Sequence, residues 1–427
     1  MGWTAILRVL RRSTNTGVTW ASFLVRLVGQ LGYFLLVARA LGPHGYGIVA
    51  STTAILIIAA SFAGWGADHI LIKHVTAAPE KFSEYFGNAL ILTAATLLPL
   101  ALVTYGISYF AVGMAPLAFA AFAVGELFWT RIHAILVAAF MAFEKGTGLF
   151  VVNTTFSFVR LATCAVAILA SSPLDIATWA YWYLGGVTLG TLLTLLYTIR
   201  RLGPPRPRLA RGDLGLGFHF CLYYLADGTM RDIDKPLVAY FAGPVAAGLY
   251  NASFRIVDAT AMPLRALAAS FYARFFKHGH QGMEQSFRFA MKVLPILLGY
   301  SVIAGVALIA GSDFLPLILG EKFAGAAPIV SRLAFLPVFG AVASIGGDVL
   351  TSTGRQRSRA LVMTCLSLSP ILLAWLLVPR WGAVGAAYAS LGNGALLAGA
   401  IWLLVMVARR HAARRLPAAA AAEPNPI

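Results

Sequence analysis

Apolar stretches of 20 or more residues, separated by short polar turns, run almost the whole length of the chain. Each is long enough, as a helix rising about 1.5 Å per residue, to cross a hydrocarbon layer of roughly 30 Å. The pattern predicts twelve such helices, at 16–40, 46–72, 85–112, 115–143, 148–171, 176–199, 213–242, 246–273, 289–310, 324–352, 358–379 and 382–408. A membrane barrel would instead alternate polar and apolar positions over strands of about ten residues, a pattern the chain lacks. The predicted fold is all-α and integral to the membrane, since helices satisfy their own backbone where no water is available.

Composition agrees: 59% of residues are hydrophobic and 11% charged. The net charge of +17 is a matter of topology. Alternate loops carry Lys73, Lys81, Lys145, Arg206, Arg208, Arg355, Arg357 and Arg409, whereas the loops between them carry only Lys322 and Arg380. Basic loops stay in the cytoplasm, so both termini are expected there, with the basic faces against anionic lipid rather than nucleic acid. Residues 1–15 read as an amphipathic cytoplasmic segment lying on the membrane. Residues 16–199 and 213–408 read as two six-helix bundles, joined by a cytoplasmic linker at 200–212, and 409–427 as a basic, then disordered, cytoplasmic tail. The linker sequence, RRLGPPRPRLARGD from Arg200 to Asp213, is too rich in proline for a helix.

A repeat supports the division. LVARALGPHGYGIVAS (Leu36–Ser51) returns as LVAYFAGPVAAGLYNA (Leu237–Ala252), a shift of 201 positions (237 − 36). The copies lie six predicted helices apart, an even number, so the halves should share an orientation and be related by a pseudo-two-fold axis along the membrane normal. Gly-Pro reads as a tight turn, and the glycine at 47 or 248 as room for a helix to approach. Extending the register backward sets Ser22, Arg26, Gln30 and Tyr33 against Tyr223, Asp227, Arg231 and Asp234. Spacings of four, four and three put each set on one helical face, which suggests a central cavity lined by polar stripes.

Charges inside the predicted helices are the candidate chemistry. A deep arginine facing lipid costs at least about 2.5–3.5 kcal/mol, so it must face water, an acid or a bound anion. Arg26, Arg131, Arg160, Arg231, Lys235, Arg255 and Arg265 are the candidate cations for an anionic head group, with Gln30, Tyr33, Tyr223 and Asn251 as polar cavity positions. Arginine forks onto phosphate oxygens, which suits a phosphorylated substrate. Asp227–Arg231 and Arg255–Asp258 have the spacing of ion pairs, so a packing role is the alternative reading for those arginines. Arg26, Arg131 and Arg160 have no acid within a helical turn. Asp68, Glu126, Asp227 and Asp258 are candidate carriers of a coupling proton or sodium ion. Glu126 shares a helical face with Thr130 and His133, and could equally neutralise a nearby arginine.

No phosphate-binding loop, nucleophile elbow or metal-ligand spacing occurs, and the three cysteines form no motif. These features predict neither an enzyme nor a bound cofactor.

The segments ARALGPHGYG (38–47), GEKFAGAAPI (320–329), TSTGRQRSRA (351–360) and PRWGAVGAAYAS (379–390), in this order among twelve helices, resemble the polysaccharide-unit flippases. Those proteins form a branch of the multidrug/oligosaccharidyl-lipid/polysaccharide exporter superfamily. The resemblance implies a V-shaped central cavity between two rocking bundles in a bacterial cytoplasmic (inner) membrane. It implies alternating access that flips undecaprenyl-diphosphate-linked oligosaccharide units, of the O-antigen or lipopolysaccharide kind. The expected partners are that polyprenyl-diphosphate-linked glycan, membrane lipids, and a polysaccharide polymerase with glycosyltransferases. The rival readings are a cation-coupled multidrug exporter of the same superfamily and, in another class, a membrane polysaccharide polymerase.

Overall fold

The computed structural model describes residues 3–171 and 174–420. The side chain of Ser22 and residues 421–427 lie outside the described set. All regular structure among the described residues is helical. In order come α1 (Trp3–Ala59), α2 (Ala67–Ala77), α3 (Phe82–Val112), α4 (Pro116–Ala123), a π-helical turn Val124–Thr130, α5 (Arg131–Ala142), α6 (Gly146–Ala170) and α7 (Ile176–Leu202). Then follow α8 (Leu214–Asp232), α9 (Asp234–Gly279), α10 (Met283–Gly311), α11 (Leu315–Leu319), α12 (Ala327–Leu333), α13 (Leu336–Ser352), α14 (Gln356–Leu366) and α15 (Ser369–Ala420). Among the described residues eight helical stretches are long and apolar enough to cross a membrane, fewer than the twelve crossings expected: Leu24–Ala59 and Gln356–Ala412 each run across a turn between two expected helices, and none of the eight covers the expected helices 213–242 and 246–273. Gln356–Ala412 is one of them, 57 residues long. At about 1.5 Å per residue it far exceeds one membrane thickness, and it folds at Gly382, whose φ of 55° and ψ of −135° no helix contains. Phe110, Leu169 and Ile303 are among the large apolar side chains left exposed, as a lipid-facing surface requires.

The described chain falls into two compact units, Met1–Gly248 and Leu249–Ile427. In the first, α2, α3, α5 and α6 close over Leu71, Phe82, Phe86, Leu136, Phe140 and Leu149. In the second, α9, α10, α13 and α15 bury Phe275, Leu297, Ile345, Val349, Ile401 and Val405. Both copies of the Gly-Pro turn belong to the first unit.

Those two turns share one backbone conformation. Gly42 has φ 66° and ψ 178°, and Gly243, 201 positions later, has φ 85° and ψ 166°. Only glycine adopts this region without strain, and the proline that follows starts the next helical segment with its φ already set. The later glycine of each copy does admit a close neighbour, and that neighbour is the other copy. A Cβ on Gly47 would collide with the carbonyl oxygen of Pro244, and a Cβ on Gly248 with the carbonyl oxygen of Pro43. Since 43 + 201 = 244 and 47 + 201 = 248, the contact is reciprocal, as a local two-fold demands.

Three segments depart from the expected boundaries. The second predicted helix, 46–72, is broken: Gly64, Trp65 and Gly66 have φ of 74°, 52° and 68°, and α2 begins only at Ala67. The Gly64 N–H donates to the Thr96 hydroxyl at 3.0 Å, which satisfies one backbone donor opened by the break, and the indole N–H of Trp65 donates to the Leu214 carbonyl at 3.0 Å. The linker is fastened within the first unit. The Arg206 N–H donates to Ser83 O at 2.7 Å and the Ala210 N–H to Asn88 Oδ1 at 2.9 Å, while Asp213 takes His74 at 3.1 Å and the Tyr85 hydroxyl at 3.3 Å. Finally, α15 runs on to Ala420, into the tail expected to be disordered.

Candidate functional site

The first unit sorts its deep charges into two groups. The first group forms around the broken helix. Asp68, in the opening turn of α2, accepts from Arg131 Nη2 at 2.6 Å. The two residues are 63 positions apart, so no search within a helical turn of Arg131 could reveal the pair. Both side chains are largely buried, and His69 Nε2 adds a contact to Asp68 at 3.6 Å.

The second group lies where α1, α6, α7 and the π-helical turn meet. Arg160 of α6 stacks over Tyr33 at 4.5 Å, Phe156 at 5.4 Å and Tyr183 at 5.8 Å. Aromatic faces carry partial negative charge, so this box holds a cation without a carboxylate in direct contact. Glu126 sits in the π-helical turn, whose extra residue re-aims a side chain and is frequent at functional sites. It accepts from the Tyr183 hydroxyl at 2.5 Å. His133, seven positions further in α5, is buried flat against Phe156 at 3.8 Å between ring centres. A cavity of about 10 Å³, room for roughly one water, opens among Tyr33, Arg160, Trp179 and Tyr183.

Arg26 lies on the exposed face of α1, as does Gln30. Among the described residues Arg26 makes no ion pair, and its charge is felt at both Arg160 and His133. On α8, Tyr223 is 62% exposed. Arg231 pairs with Asp227 at 3.1 Å, as its spacing predicts, with its side chain 70% exposed.

Lys235 is different. It is buried at the junction of α8 and α9, 2.8 Å from Asp232 and 3.4 Å from Asp234, and its ammonium also donates to Arg231 O at 2.7 Å. It caps a helix end rather than facing an open surface.

In the second unit, Asn251 is buried and Arg255 half-buried. Asp258 pairs with Arg265 at 2.8 Å, seven positions toward the C-terminus. The structure therefore brings Tyr33, Glu126 and Arg160 together around Tyr183, leaves Arg26 on the exposed face of α1, keeps Arg131 with Asp68, and places Arg255, Asp258 and Arg265 in the other unit. Sequence reasoning missed Trp179 and Tyr183. Their signal was present, as an i,i+4 aromatic pair followed by Gly186, whose lack of a side chain makes room beside Thr163.

With this geometry in hand, similarity to known proteins is informative. A model of the family described as polysaccharide biosynthesis protein matches residues 14–275. The teichuronic acid biosynthesis protein TuaB of Bacillus subtilis (strain 168) is 26% identical over 127 residues, which is 29% of this chain and 26% of that protein's length. Among solved structures, the lipid II flippase MurJ in its inward closed conformation aligns with a TM-score of 0.74 at 14% identity, covering 92% of this chain and 87% of MurJ. An inward-facing multidrug resistance transporter of the MATE family, in the MOP superfamily, aligns with a TM-score of 0.67 at 11% identity, covering 90% of this chain and 94% of its own. At such identities the alignments establish a shared fold.

Proposed function

The chain belongs to the polysaccharide biosynthesis protein family, and on that premise we propose that it flips polyprenyl-diphosphate-linked oligosaccharide units across the membrane. It is a multi-pass membrane protein with a transporter fold. The substrate we assign is an undecaprenyl-diphosphate-linked glycan, moved by alternating access from the cytoplasmic leaflet of a bacterial inner membrane for surface polysaccharide assembly. No bond is made or broken on this reading.

One observation carries it. Arg26 is exposed on a membrane-spanning helix, has no carboxylate partner among the described residues, and is opposed by the like charge of Arg160. A cation without a carboxylate and opposed by a like charge favours an anionic ligand, and a diphosphate offers oxygens for its guanidinium fork. A cationic drug would meet repulsion at the same place.

Coupling to an ion gradient fits best at Glu126. Asp68, Asp227 and Asp258 each hold an arginine, so binding a proton or sodium ion there would disrupt an ion pair. Among the described residues, Glu126 is bonded to a tyrosine hydroxyl and holds no arginine.

The test uses Arg26→Ala and Arg26→Lys at matched membrane levels in cells. Loss of a charge-assisted hydrogen bond should cost about tenfold or more in head-group affinity. The alanine variant should therefore accumulate lipid-linked intermediates on the cytoplasmic leaflet and display less surface polysaccharide, with partial recovery in the lysine variant. Unchanged leaflet distribution in Arg26→Ala overturns the proposal.

A further inference from the structure

We propose that an apolar pocket within the second unit takes the isoprenoid segment adjoining the anionic head of a polyprenyl lipid. The inference rests on the reading above, since it is that substrate's lipid which would enter.

The pocket has a volume of about 280 Å³ and lies among α9, α10 and α13. Its walls are mainly hydrocarbon and include Phe254, Val257, Leu264, Leu297 and Leu336. It exists because the helices present small residues toward one another: Ala261 and Ala268 on α9, and Gly340, Ala341 and Ser344 on α13. A Cβ built on Gly340 meets nothing within 4 Å, so the space beside it is open. This volume is at the lower end of ligand pockets and suits one segment of a chain rather than a whole polyprenyl tail.

Charge is confined to Asp258 and Arg265. Arg265 Nη1 donates to Asp258 Oδ1 at 2.8 Å and Nη2 to the Asp258 carbonyl at 3.1 Å. These bonds hold the guanidinium at the pocket while its remaining donors stay available, and the side chain is 52% exposed. A cation beside a hydrocarbon pocket matches a ligand whose anion is joined directly to its chain. Polyprenyl diphosphates have that connectivity. In a phospholipid, a glycerol backbone separates phosphate from chain.

The experiment titrates the purified full-length protein in detergent with farnesyl diphosphate, following tryptophan fluorescence and the melting midpoint. Farnesol, inorganic diphosphate and a short-chain phosphatidylglycerol serve as comparison probes. Farnesyl diphosphate should bind saturably, farnesol more weakly, and diphosphate alone should not displace it. Each buried carbon denied to the ligand forfeits roughly fourfold in affinity, so Gly340→Leu, which adds four, should weaken binding about 250-fold and Gly340→Ala about fourfold. The alanine variant keeps the test decisive if the leucine variant folds poorly. Arg265→Ala should erase the advantage of farnesyl diphosphate over farnesol while farnesol still binds. Wild-type affinity in both Gly340 variants overturns the proposal, as does equal competition by phosphatidylglycerol or full competition by diphosphate. Export that ignores Arg26 would remove the flippase reading yet leave this binding measurable, so the two failures can be told apart.

Discussion

Arg131 and Arg26 look alike along the sequence, each a deep cation with no acid within a helical turn, yet the structure treats them oppositely. Arg131 has a carboxylate at 2.6 Å, delivered by the broken helix that precedes α2. Arg26 is exposed, makes no ion pair among the described residues, and is opposed by the like charge of Arg160. The difference teaches that depth alone does not make a binding site. A charge matched by a buried partner belongs to the scaffold, because desolvation has already been offset by the pair. A charge beside another like charge has no such offset, which is why the proposed head-group site is placed at Arg26.

The largest effect expected from this contrast is on stability. Removing one member of a buried ion pair leaves the other uncompensated and costs about 3–5 kcal/mol. Arg131→Ala and Asp68→Ala should each lower the melting midpoint of the purified protein markedly, and the double variant should recover part of the loss. Arg26→Ala should leave the midpoint where it was. If Arg131→Ala melts like the native protein, the two arginines are not different in kind.

A smaller effect separates Glu126 from the scaffold. A hydrogen bond to a charged group contributes about 1.5–3 kcal/mol, so Tyr183→Phe should destabilise by no more than that. It also frees Glu126 to exchange its proton or bind a cation, so the dependence of transport on the ion gradient should change. A stability loss with unaltered coupling would assign Glu126 to packing, alongside Asp68.

How much of this the sequence disclosed depends on the distance over which each feature is encoded. The Gly-Pro repeat was readable because it is local: a glycine at φ near +60° to +90° and a following proline fix a turn by themselves, and both copies do so. That the two turns interlock through Gly47 and Gly248 was not written in either copy. The break at Ala63–Gly66 was hidden by hydropathy, although glycines on both sides of Trp65 marked it. The partner of Arg131 lies 63 residues away, and that of Glu126 lies 57 away, beyond any helical-face argument. Asp227–Arg231 was found because its partner is one turn off. The linker's fastening points, Ser83 and Asn88, are ordinary polar residues whose role appears only when the chain returns to them.

The smallest effect should come from Arg231, and its smallness is what makes it informative. Arg231 has an acid at 3.1 Å, as Arg131 does, yet its side chain is 70% exposed. Solvent screens such a pair, and exposed i,i+4 pairs contribute only about 0.3–0.5 kcal/mol. Arg231→Ala should therefore shift the melting midpoint barely at all. If its guanidinium nonetheless serves the head group, leaflet distribution of the lipid-linked intermediate should change in the same variant. Asp227→Asn then discriminates further: freeing Arg231 from its acid should tighten binding of an anionic head group without destabilising the fold. A large stability loss in Arg231→Ala, with transport intact, would move Arg231 into the class of Arg131 and leave Arg26 and Arg160 as the cationic site.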